Sequence, residues 1–241
     1  MDPEAVKKIY NQMVLERAGG DYEYQRWFSD KIKQAGYFMT KKSIEEQLLD
    51  EKFSSYLEVG PGAGTWTKIF MGKNLSANFD LVDISSAMLD LAKSALSGYK
   101  NIRFFGADFC DFNPDKKYDY FFSCRALEYF SDRERFVEKV FDLMTQGGRG
   151  MIITKSPKYL RNKFLGRQIQ KLHQGQIGAR RLKCLLKNVG FSEIKIYPVT
   201  FSFPFFRSSK INLFLFRIFC QKPLNFLSAF FAESYLAVFK K

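Results

Sequence analysis

The chain has 241 residues, 46% of them hydrophobic, enough for one sizeable core, so a single α/β domain is the expectation. No run reaches the roughly 18 uninterrupted apolar residues of a membrane span, and Cys110, Cys124, Cys184 and Cys220 are too scattered for a zinc site or a disulfide framework. The net charge of +13 is unevenly placed: residues 143–241 hold 18 of the 38 Lys/Arg but only two acids, Glu193 and Glu233, giving +16 there and −3 elsewhere. That split predicts an anionic partner on the C-terminal side (lipid headgroups, nucleic acid or a phosphorylated substrate) or a solvated basic face. Met1-Asp2-Pro3-Glu4 lacks a basic segment followed by an apolar run, so no signal peptide is expected and the location reads as cytoplasmic.

Residues 1–50 read as an N-terminal helical cap, a lid of two or three helices on the sheet domain. Pro3 suits the first helical position, Gly19-Gly20 breaks the pattern, and Asp21 can cap a second helix carrying Tyr22, Tyr24, Trp27 and Phe28. Gly36 is expected to interrupt again, with Thr40 opening a third helix through Leu49. From Phe53 short apolar runs alternate with helical stretches. Strands are predicted at 54–59, 79–83, 101–105, 118–124 and 149–154, with helices at 65–74, 85–97 and 132–145, the last stopped by Gly147-Gly148. This order predicts a Rossmann-like, mostly parallel sheet with helices on both faces. A basic segment at 155–187 contains a helix at 178–189 ending at Gly190, and a strand follows at 191–199. Residues 200–231 form an aromatic insert with ten Phe, four basic residues and no acid, in which Ser208-Ser209 can start a helix through Gln221. A strand from Ser234 to Phe239 ends the chain, which makes seven strands with an antiparallel C-terminal pair.

The informative segment is Leu57-Glu58-Val59-Gly60-Pro61-Gly62-Ala63-Gly64-Thr65, an apolar strand running into a glycine turn before a helix. Glycines allow a sharp turn and a close backbone approach to a ligand. Dinucleotide turns read G-x-G-x-x-G; here the third glycine comes one residue early and no GK[ST] follows, so neither a pyrophosphate fingerprint nor a triphosphate loop fits. Glu58, two residues before the first glycine, suits a cationic ligand such as the ammonium of an amino-acid moiety. Asp83 ends the second strand 19 residues after Gly64, where a carboxylate can accept from both hydroxyls of a ribose.

These residues resemble motif I and the ribose-binding acid of class I S-adenosylmethionine-dependent methyltransferases, in particular the quinone and small-molecule kind of the methyltransferase-11/25 type. The resemblance covers about residues 53–154 and implies S-adenosyl-L-methionine as cofactor. It implies that Glu58, Gly60, Gly62, Gly64 and Asp83 bind it, that Ile84 packs on the adenine, and that Asp108 accepts from the adenine amino group while Phe109 covers the ring. Ser123, with Cys124, is implied to approach the methionine end through backbone groups. Such enzymes often carry Leu-Glu-His after the fourth strand, and this chain has Leu127-Glu128-Tyr129. The Pro-Cys of cytosine C5 enzymes and the Asn-Pro-Pro-Tyr of adenine amino-methylation are both missing.

The implied reaction is an in-line methyl transfer, in which positioning is worth roughly 7–11 kcal/mol. A general base is useful for a hydroxyl acceptor; the candidates are His173, Glu128 and Tyr129, while Asp132 reads as the cap of the next helix. No metal site is expected. The helix at 208–221, with aromatic and aliphatic residues beside Lys210 and Arg217, suits an interfacial helix at an anionic membrane surface, a lid or a dimer interface. The expected activity is therefore methyl transfer to an apolar, lipid-like or lipid-linked small molecule, peripheral to the membrane, with a homodimer open. Two alternatives stand beside it: an RNA methyltransferase using the basic track at 155–187, and a non-catalytic partner subunit that binds the cofactor.

Overall fold

The computed structural model describes residues 2–16, 21–49, 51–157, 175–203, 205, 207–220 and 222–241. Its centre is a seven-stranded sheet in the order β3-β2-β1-β4-β5-β7-β6. The strands are β1 (Ser55–Val59), β2 (Asn78–Asp83), β3 (Ile102–Gly106), β4 (Tyr118–Cys124), β5 (Met144–Lys155), β6 (Ser192–Phe201) and β7 (Ala232–Lys240). The first five pair in parallel, and β7 runs antiparallel between β5 and β6. The helices are α1 (Pro3–Glu16), α2 (Lys31–Gln47), α3 (Thr67–Lys73), α4 (Ser86–Ala95), α5 (Arg133–Leu143), α6 (Ala179–Val189), α7 (Ser209–Phe219) and α8 (Phe226–Phe231), with a π-helical turn at Tyr24–Phe28.

Side chains alternate along a strand, so each central strand feeds both faces of the sheet. Leu57 and Val59 of β1 and Phe121 of β4 join Phe136, Val137 and Val140 of α5 and Leu182 and Leu186 of α6 in one core. Tyr56, Tyr120 and Phe122 point the other way, onto Ile44 of α2 and Phe70 and Met71 of α3. Glu58 has the parity of Tyr56, which places its carboxylate on the α3 side. Burial on both faces is the reason these strands read as continuous apolar runs.

Three expectations need correction. Gly36 does not interrupt: α2 runs through it from an Asp30 cap whose carboxylate accepts from Ile32 N (2.8 Å) and Lys33 N (2.9 Å), so Thr40 lies mid-helix and opens nothing. One glycine costs a helix only about 1 kcal/mol, less than burial of Ala35, Met39 and Ile44 returns. Gly147-Gly148 does not stop α5, which ends at Leu143; Gly147 (φ +79°) lies within β5. The aromatic insert holds a second helix, α8, closed by a capping box in which Asn225 and Ser228 exchange hydrogen bonds.

Other caps agree with the residues that suggested them. Asp132 accepts from Arg135 N (2.9 Å), Ser208 from Ile211 N (3.4 Å), and Gly190 ends α6 at φ +116°. The strand order reverses between β1 and β4, and the loops that follow their C-terminal ends form the crevice where open α/β sheets take ligands.

Candidate active site

The chain leaves β1 through Gly60, whose N–H donates to Val82 O on the neighbouring strand (2.9 Å). Its φ is +72°, and a Cβ there would fall 2.6 Å from the Ala126 Cβ, so the residue must be glycine on two counts. One strand over, Asp83 ends β2. Its carboxylate accepts from Ser85 N (2.9 Å) and from Gly62 N (3.4 Å), linking the second strand to the glycine turn. Burial pushes this carboxyl up to about 6 against the pull of those N–H groups.

Gly60, Gly62, Asp83, Ile84, Asp108 and Phe109 line one cavity of about 210 Å³, together with Tyr129. Asp108 also caps the short 3-10 turn at Phe109–Asp111, accepting from Cys110 N (2.9 Å) through Oδ1. Six of the nine residues proposed to bind the cofactor thus meet at one place.

The other three stand behind the wall. Glu58 is fully buried; Oε2 accepts from the Tyr56 hydroxyl (2.9 Å) and from Thr67 Oγ1 (2.8 Å), while Oε1 has no hydrogen-bond partner. Burial raises its carboxyl to about 7, the Thr67 and Tyr56 hydroxyls oppose this, and Asp83 adds to it. Gly64 approaches Leu96, and Ser123 donates to Val59 O (3.1 Å) across the β1–β4 pair.

Among the base candidates, Tyr129 lines the cavity and meets the Tyr10 ring edge-on, 5.4 Å between centroids. Glu128 is buried and committed: its Oε1 accepts from Arg125 Nε (2.7 Å) and from Lys155 N (3.1 Å). His173 lies outside the described residues, as do Lys158, Arg161, Lys163, Arg167 and Lys171 of the basic track. Burial pushes the Cys124 thiol up to about 12, which leaves it a poor nucleophile at neutral pH.

The residues that sequence reasoning missed come from the N-terminal segment. Pro3, Val6, Tyr10 and Arg26 line the same cavity. Asn11 Oδ1 accepts from Ser85 Oγ (2.7 Å) and Ala87 N (3.4 Å), and Glu23 accepts from the Thr65 hydroxyl. Arg26 is held by the Tyr22 hydroxyl (2.9 Å) and lies over the Trp27 ring. An N-terminal helical lid is expected from the sequence, but helical spacing does not say which of its residues reach the glycine turn. Arg125, after β4, was also missed; it adopts φ +66°, a left-handed conformation costly for a non-glycine residue and characteristic of functional sites.

Two features fit a ligand with hydroxyl and ammonium donors. Asp83 and Glu58 are desolvated carboxylates whose pKa values burial has raised, and the Glu58 Oε1 is buried without a donor. Both would gain from such a partner. Among the described residues no cluster of His, Cys, Asp and Glu could hold a metal ion.

Comparison with known proteins agrees with this geometry. Residues 57–148 match the model of a family described as a methyltransferase domain. Malonyl-[acyl-carrier protein] O-methyltransferase 1 of Ilyobacter polytropus is 33% identical over 99 residues, covering 41% of this chain and 37% of that protein. A second enzyme of that name from the same organism is 28% identical over 145 residues, 59% of this chain and 52% of its own. The chain therefore spans about half or less of the length of these curated relatives. Among solved structures, the N-methyltransferase NodS from Bradyrhizobium japonicum in complex with S-adenosyl-L-homocysteine superposes with a TM-score of 0.65 at 13% identity, over 96% of this chain and 98% of that one. Residues 57–148 of this chain thus match a methyltransferase-domain model, and the fold around them is one shared with methyltransferases of known structure.

Proposed function

We propose that this protein is a methyltransferase that uses S-adenosyl-L-methionine to modify a lipid-like small molecule at a membrane surface. The observation that carries the first half is the convergence of the Gly60–Gly62 turn, Asp83 and Asp108 on one cavity at the strand ends. In this reading Asp83 accepts from the ribose hydroxyls, Ile84 and Phe109 flank the adenine, and Asp108 accepts from its amino group; their common lining of the cavity supports it. Glu58, whose carboxyl burial raises to about 7, would ionise behind the turn when the ammonium end is bound. The cofactor, when bound, supplies a methyl group on a sulfonium, an electrophile with a good leaving group. What the chain contributes is alignment and exclusion of water, with Tyr10 and Arg26 of the N-terminal segment and Tyr129 after β4 lining the cavity.

Support for a lipid-like acceptor comes from the aromatic insert. Phe205, Phe214, Ile218, Phe226, Leu227 and Phe230 are exposed there, Phe226 to 86%, in a stretch whose charges are Arg207, Lys210, Arg217 and Lys222. Exposed aromatics with cations and no acids suit the headgroup region of an anionic bilayer. No helix among the described residues is long and apolar enough to cross a membrane. The names of the curated relatives add an acyl group on a carrier protein to the acceptors worth testing.

The test is direct. Calorimetry with S-adenosyl-L-homocysteine should give binding that Asp83→Asn weakens at least about tenfold. Labelled cofactor incubated with fractionated extract should then place label in lipid or carrier-bound acyl material; label in RNA alone would reject the acceptor, and no product binding would reject the enzyme.

A further inference from the structure

A second cavity, of about 520 Å³, adjoins the first, and Arg26, Cys124 and Arg125 line both. Its walls come from the N-terminal segment (Trp27, Lys33, Met39), the end of β5 (Ile153, Lys155) and the insert side of the fold (Phe201, Arg207, Asn212). A molecule seated there would be next to whatever fills the first cavity. This is the geometry an acceptor site needs.

The charges on this wall are one-sided. Five cations line it, Arg26, Lys33, Arg125, Lys155 and Arg207, against one described acid, Glu233. Three of them are partly buried, and they repel each other: burial lowers the Lys155 ammonium, and Arg125 and Arg26 lower it further, with Glu128 and Glu233 opposing. Glu128 already serves Arg125 at 2.7 Å. Arg125 is kept in its left-handed conformation while its N–H donates to Ile153 O (2.8 Å), so its position is fixed by the fold and not by solvent. Arg125 is paired with Glu128 and Lys33 with Asp30 (3.7 Å), which leaves Arg26, Lys155 and Arg207 in excess over Glu233 in a concave site; an anionic acceptor group would relieve that excess, a neutral one would not. The apolar part of the wall, Trp27, Ile32, Met39, Ile153 and Phe201, leaves room for a hydrocarbon portion.

From this we infer that the second cavity is the acceptor site and selects acceptors bearing an anionic group, a carboxylate or a phosphate, through Arg26, Arg125, Lys155 and Arg207. The inference rests on the methyltransferase function proposed above and narrows its acceptor to an acidic amphiphile.

The test uses the full chain saturated with S-adenosyl-L-homocysteine and three probes of equal six-carbon tail, heptanoate, hexyl phosphate and hexan-1-ol, titrated by calorimetry. At least one anion should bind about tenfold or more tighter than the alcohol, and the better of the two identifies the acidic group. Lys155→Gln and Arg207→Gln should each erode that preference several-fold without changing affinity for the alcohol. Arg207 is exposed, so its variant remains informative if the Lys155 one folds poorly. Equal affinity for all three probes, or a preference that survives both substitutions, overturns the inference while leaving the methyltransferase function standing. Failure to bind S-adenosyl-L-homocysteine in the first place would instead reject that function.

Discussion

Gly60 and Ala126 stand so close that a Cβ on the glycine would lie 2.6 Å from the alanine Cβ. The two residues follow β1 and β4, the neighbours between which the strand order reverses, so this contact fixes the width of the crevice. Gly60→Ala must both adopt φ +72° with a side chain and push the β4 loop away. It should destabilise the protein by about 2 kcal/mol or more and lower affinity for S-adenosyl-L-homocysteine, measured by urea denaturation and calorimetry. Gly64→Ala meets only the mobile end of Leu96, and beyond the shared backbone strain it should be milder.

Glu58 gives the protein a pH dependence of definite sign. Burial raises its carboxyl from an ordinary 4.5 to about 7, so the folded state holds a proton that the unfolded state has released. The associated stability is fully present below pH 4.5 and is lost as pH rises through about 7, a change of roughly 3 kcal/mol. Thermal unfolding without ligand should show the melting temperature rising as pH falls from 8 toward 5. In Glu58→Gln that rise should shrink; an unchanged slope would assign the effect elsewhere.

The N-terminal segment is joined to the cofactor loops by side-chain hydrogen bonds, of which Asn11 supplies two, to Ser85 Oγ and Ala87 N. Asn11→Ala should cost about 1 kcal/mol of closure, seen as roughly fivefold weaker S-adenosyl-L-homocysteine binding and faster amide exchange in α1. Global stability should change less, because α1 buries little of the core.

Phe226 and Phe230 are exposed on α8, Phe230 meeting the adjacent Phe231 ring edge-on at 5.0 Å between centroids. The double substitution Phe226→Ser/Phe230→Ser should leave the melting temperature within about 2 °C while reducing co-flotation with phosphatidylserine vesicles several-fold. Flotation that persists would remove the insert as the membrane contact.

The strand positions and the glycine turn were legible because they are local. β4 occupies the predicted residues 118–124, and the Gly60, Gly62, Asp83 and Asp108 spacing reflects a backbone path repeated at each strand end. The Gly36 expectation failed for the complementary reason: a glycine's cost is small beside tertiary burial, and burial cannot be read from propensity. The insert helix α7 is likewise two-faced. Leu215 and Phe216 pack inward while Phe214 and Ile218 are exposed, a division that the apolar run at 213–216 does not reveal.

Alternation of apolar runs, caps and turns dictated an α/β sheet with a glycine turn at its strand ends, since those features follow from backbone geometry over a few residues. Only tertiary structure decided what surrounds that turn. Arg26, Arg125, Lys155 and Arg207 lie far apart in the chain and share no motif, and they act together because the sheet and the folded-back N-terminal segment bring their charges to one wall.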